Sequence, residues 1–251
     1  MNQQSPAPHA PPPPPPPPPP RRFSPLRWVA RLLTSLSLSA LVVLGLVLIG
    51  FSGIFSLTGD DTLREHYHSL ARDATDKIAV ITLEGTILDG DGFVKRQIDH
   101  VRDDKDVKAI VLRVNSPGGT VSGSDFIYHH LKKLVADRKL PLVVSMGGIA
   151  ASGGYYVSMA VGAEKDVIFA EPTTWTGSIG VVIPHYDVSG LLQKLEVSED
   201  SIKSHRLKQM GNPTRPMTEE EREIFQALVN DSFGRFKEIV KSGRPGLAGD
   251  E

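Results

Sequence analysis

The sequence of 251 residues contains no cysteine. This absence excludes disulfide scaffolds, iron–sulfur clusters and cysteine nucleophiles. No group of histidines and acidic residues has the spacing of a zinc site, and no G-x-x-x-x-G-K-S/T phosphate loop occurs. We therefore expect no metal or nucleotide cofactor. Acidic residues are missing from residues 1–31, yet they outnumber basic residues in the rest of the chain, which has no basic run. A nucleic acid is accordingly not an expected partner.

Proline is concentrated in the N-terminal tail. Residues 11–20 are all proline, and each proline lacks an N–H group and has a fixed φ. We interpret residues 1–31 as a disordered, proline-rich tail that favours the polyproline II conformation. Two interpretations of its role stay open: a spacer, which we favour, and a ligand for a proline-recognition domain.

Charged residues are absent from residues 32–57. A helix needs about 20 apolar residues to cross a bilayer core, so this stretch predicts one transmembrane helix. It is longer than the apolar region of a cleaved signal peptide, and no clear A-x-A site follows it. Four arginines precede the stretch, and Asp60 and Asp61 follow it. By the positive-inside tendency, we expect a single-pass protein of the inner (plasma) membrane with a cytoplasmic tail, a linker at 58–76 and an extracytoplasmic domain.

Short β-like runs alternate with helical patterns over residues 77–251. Such alternation predicts an α/β domain of repeated βα units with a mainly parallel sheet. The predicted strands are 77–83, 107–114, 142–144, 167–169 and 197–203. The predicted helices are 93–101, 122–138, 151–161 and a last helix that begins at Thr218, with Glu221 completing a capping box. The apolar stripe predicted for that last helix comprises Phe225, Leu228, Val229, Phe236, Ile239 and Val240.

Two glycine-rich segments follow predicted strands, at residues 115–119 and 147–156. In α/β folds, ligands bind where strands end and such turns lead into helices. Backbone N–H groups of the first segment are unobstructed by Cβ atoms and are candidates for holding an oxyanion. The second segment places Ser152 at the start of a helix among small residues. Ser152 is either a nucleophile or the N-cap of an ordinary βα turn, and the residues alone do not separate the two interpretations.

A nucleophilic serine needs a general base. His185 and His205 are the histidines that follow Ser152 in the chain and lie in predicted loops or strand ends. Lys208 is a third candidate. A lysine acts as a base only where its surroundings favour its neutral form, and most lysines are solvated. The residues alone therefore give Lys208 little weight.

Four ordered blocks together resemble the signal peptide peptidase A family. The blocks are NSPGG (115–119), AASGGYYVS (150–158), TGSIGVV (176–182) and IKSHRLKQMGNPTRPMTEEE (202–221). The resemblance covers about residues 77–244 and implies a fold like that of caseinolytic proteases and crotonases. It implies a membrane-bound serine endopeptidase that degrades cleaved signal peptides and other extended apolar peptides. It also implies a homo-oligomer with active sites that face an inner chamber.

The resemblance assigns roles to five residues. It implies that Ser152 is the nucleophile, that Lys208 is its base, and that Ser178 orients the lysine. The backbone N–H groups of Gly118 and Gly153 would form the oxyanion hole. The implied reaction is amide hydrolysis by a Ser–Lys dyad without a cofactor.

The chain departs from the family pattern in three places. His205 stands where the family usually has glycine, and Gln209 stands where it usually has aspartate. The chain also stops at Glu251 without the family's usual C-terminal segment, so we expect a truncated C terminus. Two other interpretations stay open. One is a crotonase-type acyl-CoA enzyme that uses the oxyanion hole without a serine nucleophile; the other is a truncated, non-catalytic membrane scaffold.

Overall fold

The computed structural model describes Thr34, residues 41–45 and residues 63–247. The chain divides into two compact units, Met1–Asp61 and Thr62–Glu251. In the first unit, Thr34 and residues 41–45 are helical. None of the helices in the described part of the chain is both long enough and apolar enough to cross a membrane. The proline-rich tail and most of the predicted span at 32–57 lie outside the described residues.

A parallel sheet of five strands forms the centre of the second unit, within residues 63–247. Its order is β1-β2-β3-β4, and β5 pairs with β3 further along the same edge than β4. The strands are β1 (Lys77–Ile87), β2 (Val107–Gly119), β3 (Leu142–Ala151), β4 (Ile168–Ala170) and β5 (Trp175–Gly177). The predicted α/β fold with a mainly parallel sheet is confirmed.

Over residues 63–247, five helices accompany the sheet; the first three connect its strands, and the last two follow the final strand. They are α1 (Phe93–Asp103), α2 (Val121–Arg138), α3 (Gly153–Ser158), α4 (Ser189–Lys194) and α5 (Glu219–Gly243). Short 3₁₀ turns occur at Met159–Val161, Arg206–Gln209 and Pro245–Leu247. The capping box predicted for the last helix is confirmed, since Thr218 Oγ1 accepts the Glu221 N–H and a Glu221 carboxylate oxygen accepts the Thr218 N–H.

The core lies between the sheet and the helices. Alternate apolar residues of β2 are buried, as expected of a strand with one face on the core. The C-terminal half of α5 packs on this core through Phe236, Ile239 and Val240. The apolar stripe predicted for α5 is buried only there, because Leu228 is about half exposed.

The glycine-rich segments belong to the strands rather than to turns beyond them. Gly118 and Gly119 pair with the end of β1 after a bulge, so β2 runs through the whole of the first segment. The last three residues of β3 pair with β5. The predicted helix at 151–161 therefore begins two residues later than expected, at Gly153.

The strand predicted at 197–203 is wrong. These residues form no regular structure, and Ile202 is fully exposed. Strand residues need a neighbouring strand to accept and donate backbone hydrogen bonds, and no such neighbour lies beside this segment within residues 63–247.

Candidate active site

Ser152 lies at the junction between β3 and α3. Its backbone has φ 51° and ψ −119°, a conformation that non-glycine residues rarely adopt. The Ser152 N–H donates to Gly177 O at 2.8 Å, and the Ser152 carbonyl accepts the Tyr156 N–H at 2.9 Å. Ser152 occupies the N-cap position of α3, but its side chain makes no cap hydrogen bond. The strained junction therefore leaves the Oγ atom available for another role.

Ser178 directly follows β5, the strand that pairs with the end of β3 before Ser152. Gly177 is the register partner of Ala151, so each serine directly follows the end of its strand. Neighbouring strands are about 4.8 Å apart. Ser178 also has a positive φ, 54°. The structure thus brings two of the predicted site residues together at one edge of the sheet.

The predicted oxyanion donors lie against each other. Gly118 has φ +94°, and a Cβ atom built on it would be 2.4 Å from the Gly153 nitrogen. This close approach explains why both positions lack side chains. The Gly118 N–H donates to Ser116 Oγ at 3.1 Å, and that hydroxyl donates to Gly85 O at 2.6 Å. The Gly118 N–H consequently has a partner in this structure.

A small cleft of about 110 Å³ adjoins Ser152. Residues from the end of β2, from α2, from α3, from the segment after Ser178 and from α5 line it together. They are Gly119, Thr120, Val121, Ser124, Ser152, Gly153, Tyr156, Gly180, Val181, Val182, Ser232 and Phe236. The cleft contains Gly119 rather than Gly118.

Tyr156 forms a fixed wall of the cleft. Its ring makes edge contacts with Tyr128 and Phe236, at centroid distances of 5.4 and 5.1 Å. Its hydroxyl donates to an Asp125 carboxylate oxygen at 2.5 Å. Burial, together with this hydrogen bond, raises the pKa of the Tyr156 phenol well above its usual range. Tyr156 therefore stays protonated and packs as an aromatic wall.

No hydrogen bond joins the Lys208 side chain to Ser152 within residues 63–247. Lys208 lies in the 3₁₀ turn Arg206–Gln209, and its side chain is exposed. Its backbone N–H donates to His205 O at 3.0 Å. Over residues 63–247, no hydrogen bond or ion pair involves the Lys208 ammonium group.

The two alternative bases have other surroundings. His205 precedes the 3₁₀ turn, and its Nδ1 accepts the Leu207 N–H at 3.3 Å, so the ring caps the turn. His185 has a buried Nε2 atom without a hydrogen-bond partner in the described part of the chain. Neither histidine lines the cleft beside Ser152.

The Gln209 side chain forms hydrogen bonds with the irregular segment that precedes its turn. Its amide nitrogen donates to Glu199 and, at 3.2 Å, to Ser201 Oγ, while its oxygen accepts from Lys203 at 2.5 Å. Gln209 therefore ties the turn that carries Lys208 to the irregular segment before it.

One group of side chains has a metal-like arrangement away from the cleft. Ligand atoms of Glu65, His100 and Asp104 lie within 4.8 Å of one another. The Lys77 ammonium group, however, donates to Glu65 at 3.2 Å and to Asp104 at 2.9 Å. The Lys77 ammonium group is thus the cation that these carboxylates bind. The ion pair between Lys77 and Glu65 joins the residues before β1 to the domain.

Several cleft residues were not predicted from the sequence. Ser124, Ser232 and Phe236 belong to helices far from Ser152 in the chain. Phe236 was expected in an apolar stripe, and that pattern does not distinguish a core residue from a cleft wall. Tyr156 could have been predicted as a cleft residue, because it lies within the sequence block that contains Ser152.

Comparison with known proteins identifies related chains. Residues 135–248 match the model of Peptidase family S49. A putative signal peptide peptidase SppA of Enterococcus faecium is 38% identical over 180 residues, which are 67% of this chain and 51% of that protein. Protease 4 of Haemophilus influenzae is 35% identical over 188 residues, 72% of this chain and 29% of that protein. A chloroplastic serine protease SPPA of Arabidopsis thaliana is 34% identical over 182 residues, 67% of this chain and 26% of that protein.

These matches, together with a serine at the strand–helix junction of a parallel α/β sheet, relate the chain to peptidases, one of which is named a serine protease. Residues 135–248 belong to Peptidase family S49, and the chain is similar to members of the signal peptide peptidase A family. It spans about half or less of the length of these relatives.

Proposed function

We propose that this chain is a membrane-anchored serine endopeptidase in which Ser152 is the nucleophile and Lys208 the general base. The observation that carries the proposal is the Ser152 side chain, which lines a cleft from an N-cap position without capping the helix. A strained strand-to-helix turn is a known way to present a nucleophilic serine. An acyl-CoA enzyme of the crotonase type would have no need of such a serine.

The proposed reaction proceeds through an acyl-enzyme. Lys208, in its neutral form, takes the proton from Ser152 Oγ while that oxygen attacks the scissile carbonyl carbon. The N–H groups of Gly153 and Gly118 stabilise the oxyanion, each contributing about 3–4 kcal/mol. The Gly118 N–H would share its bond to Ser116 Oγ with the oxyanion. The lysine then protonates the leaving amine, and water hydrolyses the acyl-serine.

A second copy of the chain would complete this site. Apolar side chains after Ser178 and outside the cleft are exposed, among them Tyr186, Leu191 and Ile202. Exposed apolar surface of this kind favours an association interface, and soluble assemblies are mostly symmetric homo-oligomers. A second copy packed on this segment would exclude water from Lys208, as a lysine base requires, and Ser178 would orient the amine.

The proposed substrates are extended apolar peptides, including cleaved signal peptides. Val181, Val182 and Phe236 give the cleft apolar walls, and the apolar region of a signal peptide is rich in such side chains. An anchor at 32–57 would hold the domain at the lipid surface on the extracytoplasmic side, where such peptides remain after cleavage.

Labelling with a fluorophosphonate tests the proposal, combined with turnover of an apolar peptide amide. We expect labelling of the wild-type chain and none of Ser152→Ala. Ser152→Ala and Lys208→Ala should each lower kcat at least about a thousandfold, because a nucleophile and its base act as a unit. Ser189→Ala and Lys194→Ala, whose side chains lie outside the cleft, serve as matched controls and should keep wild-type turnover.

Two outcomes would contradict this assignment. Near-normal turnover in Lys208→Ala, with loss in His205→Ala or His185→Ala, would move the base to a histidine. A wild-type chain with neither labelling nor turnover would support the scaffold interpretation.

A further inference from the structure

The turn that carries Lys208 is joined to helix α5 by an ion pair with one buried partner. We propose that Arg215 is a positioning residue for Lys208. This inference rests on the proposed function, in which Lys208 is the general base.

One guanidinium group connects three parts of the chain. Arg215 Nη1 donates to a Glu221 carboxylate oxygen at 3.0 Å, and Nη2 donates to the other oxygen of the same carboxylate. Nη2 also donates to the Gln209 carbonyl at 3.1 Å. Gln209 directly follows Lys208 and ends its 3₁₀ turn. The backbone of the lysine turn is thus held to α5 through Arg215.

The other end of this connection is fixed. Glu221 is only 2% exposed, and its carboxylate also accepts the Thr218 N–H at 3.1 Å within the capping box. The hydrogen bond from Arg215 lowers the pKa of the Glu221 carboxyl to about 2, so the carboxylate is charged at neutral pH. Glu221 cannot move without uncapping α5, and it therefore gives Arg215 a rigid partner.

Lys208 depends on this backbone anchor. Its ammonium group has no hydrogen-bond or ion-pair partner in the described domain. The point from which the Lys208 side chain extends is set by the backbone of the turn, whose backbone hydrogen bonds are local ones, such as Met210 N–H to Leu207 O at 3.0 Å. Arg215 supplies the connection from this turn to a helix that packs on the core.

The chain offers a matched control on the same turn. Arg206 pairs with Glu220, so it too links the lysine turn to the start of α5. This pair is exposed, at 65% for Arg206 and 43% for Glu220, and exposed pairs hold geometry weakly. We expect the two arginines to differ in their effect on catalysis although their partners are neighbours in sequence.

The test compares Arg215→Lys with Arg206→Lys in the full chain. Lysine keeps the charge but lacks the planar fork that reaches a carboxylate and a carbonyl together. We expect Arg215→Lys to lower kcat about 10- to 100-fold, the loss typical of a misplacement near 1 Å. KM and the melting temperature should stay close to wild type, and Arg206→Lys should keep wild-type kcat and KM.

A second variant covers the case in which Arg215→Lys fails to fold. Arg215→Met/Glu221→Gln removes the connection to Gln209 without leaving an unpaired charge, and the glutamine can still accept the Thr218 N–H in the capping box. We expect the same fall in kcat. Wild-type kcat in either folded variant would overturn the proposal.

Amide hydrogen exchange separates this proposal from the proposed function. Exchange over residues 207–212 should become faster in both Arg215 variants and stay unchanged in Arg206→Lys, whether or not the chain is active. Unchanged exchange would overturn the proposal, and so would faster exchange with unchanged kcat. If Lys208→Ala keeps wild-type turnover, the proposed function fails, and with it the role of Arg215 in catalysis.

Discussion

Gly118→Ala is the substitution for which the structure gives the sharpest prediction. Gly118 has φ +94°, and the added Cβ would lie 2.4 Å from the Gly153 nitrogen and 2.8 Å from Ser152 Cβ. An ordinary contact begins at 3.4 Å. The backbones of β2 and α3 must therefore separate by about 1 Å, and the atoms that move include a proposed oxyanion donor and the proposed nucleophile.

Two costs follow from this geometry. An L-residue with a positive φ costs about 1–2 kcal/mol, and overpacking against backbone costs about 1–3 kcal/mol. We expect Gly118→Ala to lower the free energy of unfolding by about 2–5 kcal/mol. A shift of about 1 Å at reacting groups lowers kcat about 100-fold, and KM should change much less.

Gly162→Ala is a control that introduces backbone strain without a steric clash. Gly162 has φ +74°, but nothing lies within 4 Å of its ideal Cβ position. We expect Gly162→Ala, at φ 74° and ψ −155°, to lose about 1–3 kcal/mol of stability and to retain wild-type kcat. Urea unfolding and peptide amide turnover measure both quantities. If Gly118→Ala folds and turns over substrate as the wild type does, the close packing of Gly118 on Gly153 has no part in catalysis.

Two further predictions concern stability. Tyr156→Phe should lower the free energy of unfolding by about 1–3 kcal/mol, since it removes the hydrogen bond from the buried Tyr156 hydroxyl to the Asp125 carboxylate. An unchanged urea midpoint would contradict this. Arg215 lowers the pKa of Glu221 from 4.5 to about 2, so the carboxylate stabilises the folded state above pH 4.5 and this contribution is lost as the pH falls toward 2. The stability difference between wild type and Glu221→Gln should accordingly shrink over that interval in acid titrations followed by circular dichroism, whereas a difference independent of pH would show that ionisation of Glu221 is not responsible.

Local patterns predicted the framework of the domain. The capping box of α5 needs only Thr218 and Glu221, three residues apart, and it formed as expected. Strands β2 and β3 were recognised because the predicted segments 107–114 and 142–144 are mostly apolar. Their glycine-rich ends were not recognised, since glycine carries no side-chain pattern and its pairing depends on the neighbouring strand.

Features that depend on contacts between distant residues could not be predicted from local sequence patterns. A strand was predicted at 197–203, but strand structure requires a pairing partner that is not present within residues 63–247. Ser152 and Ser178 are 26 positions apart, and only the pairing of β3 with β5 brings them side by side. Lys208 was assigned by resemblance alone; its hydrogen bonds and exposure do not by themselves identify a base.

The cleft beside Ser152 has walls from residues that are distant in the chain. Ser152 and Lys208 both precede Ser232 and Phe236, and α5 supplies the last wall. During synthesis, a ribosome-bound chain that ends before α5 would carry the serine and the lysine but only part of the cleft. The order of the elements along the chain thus delays completion of the cleft until translation has passed residue 236.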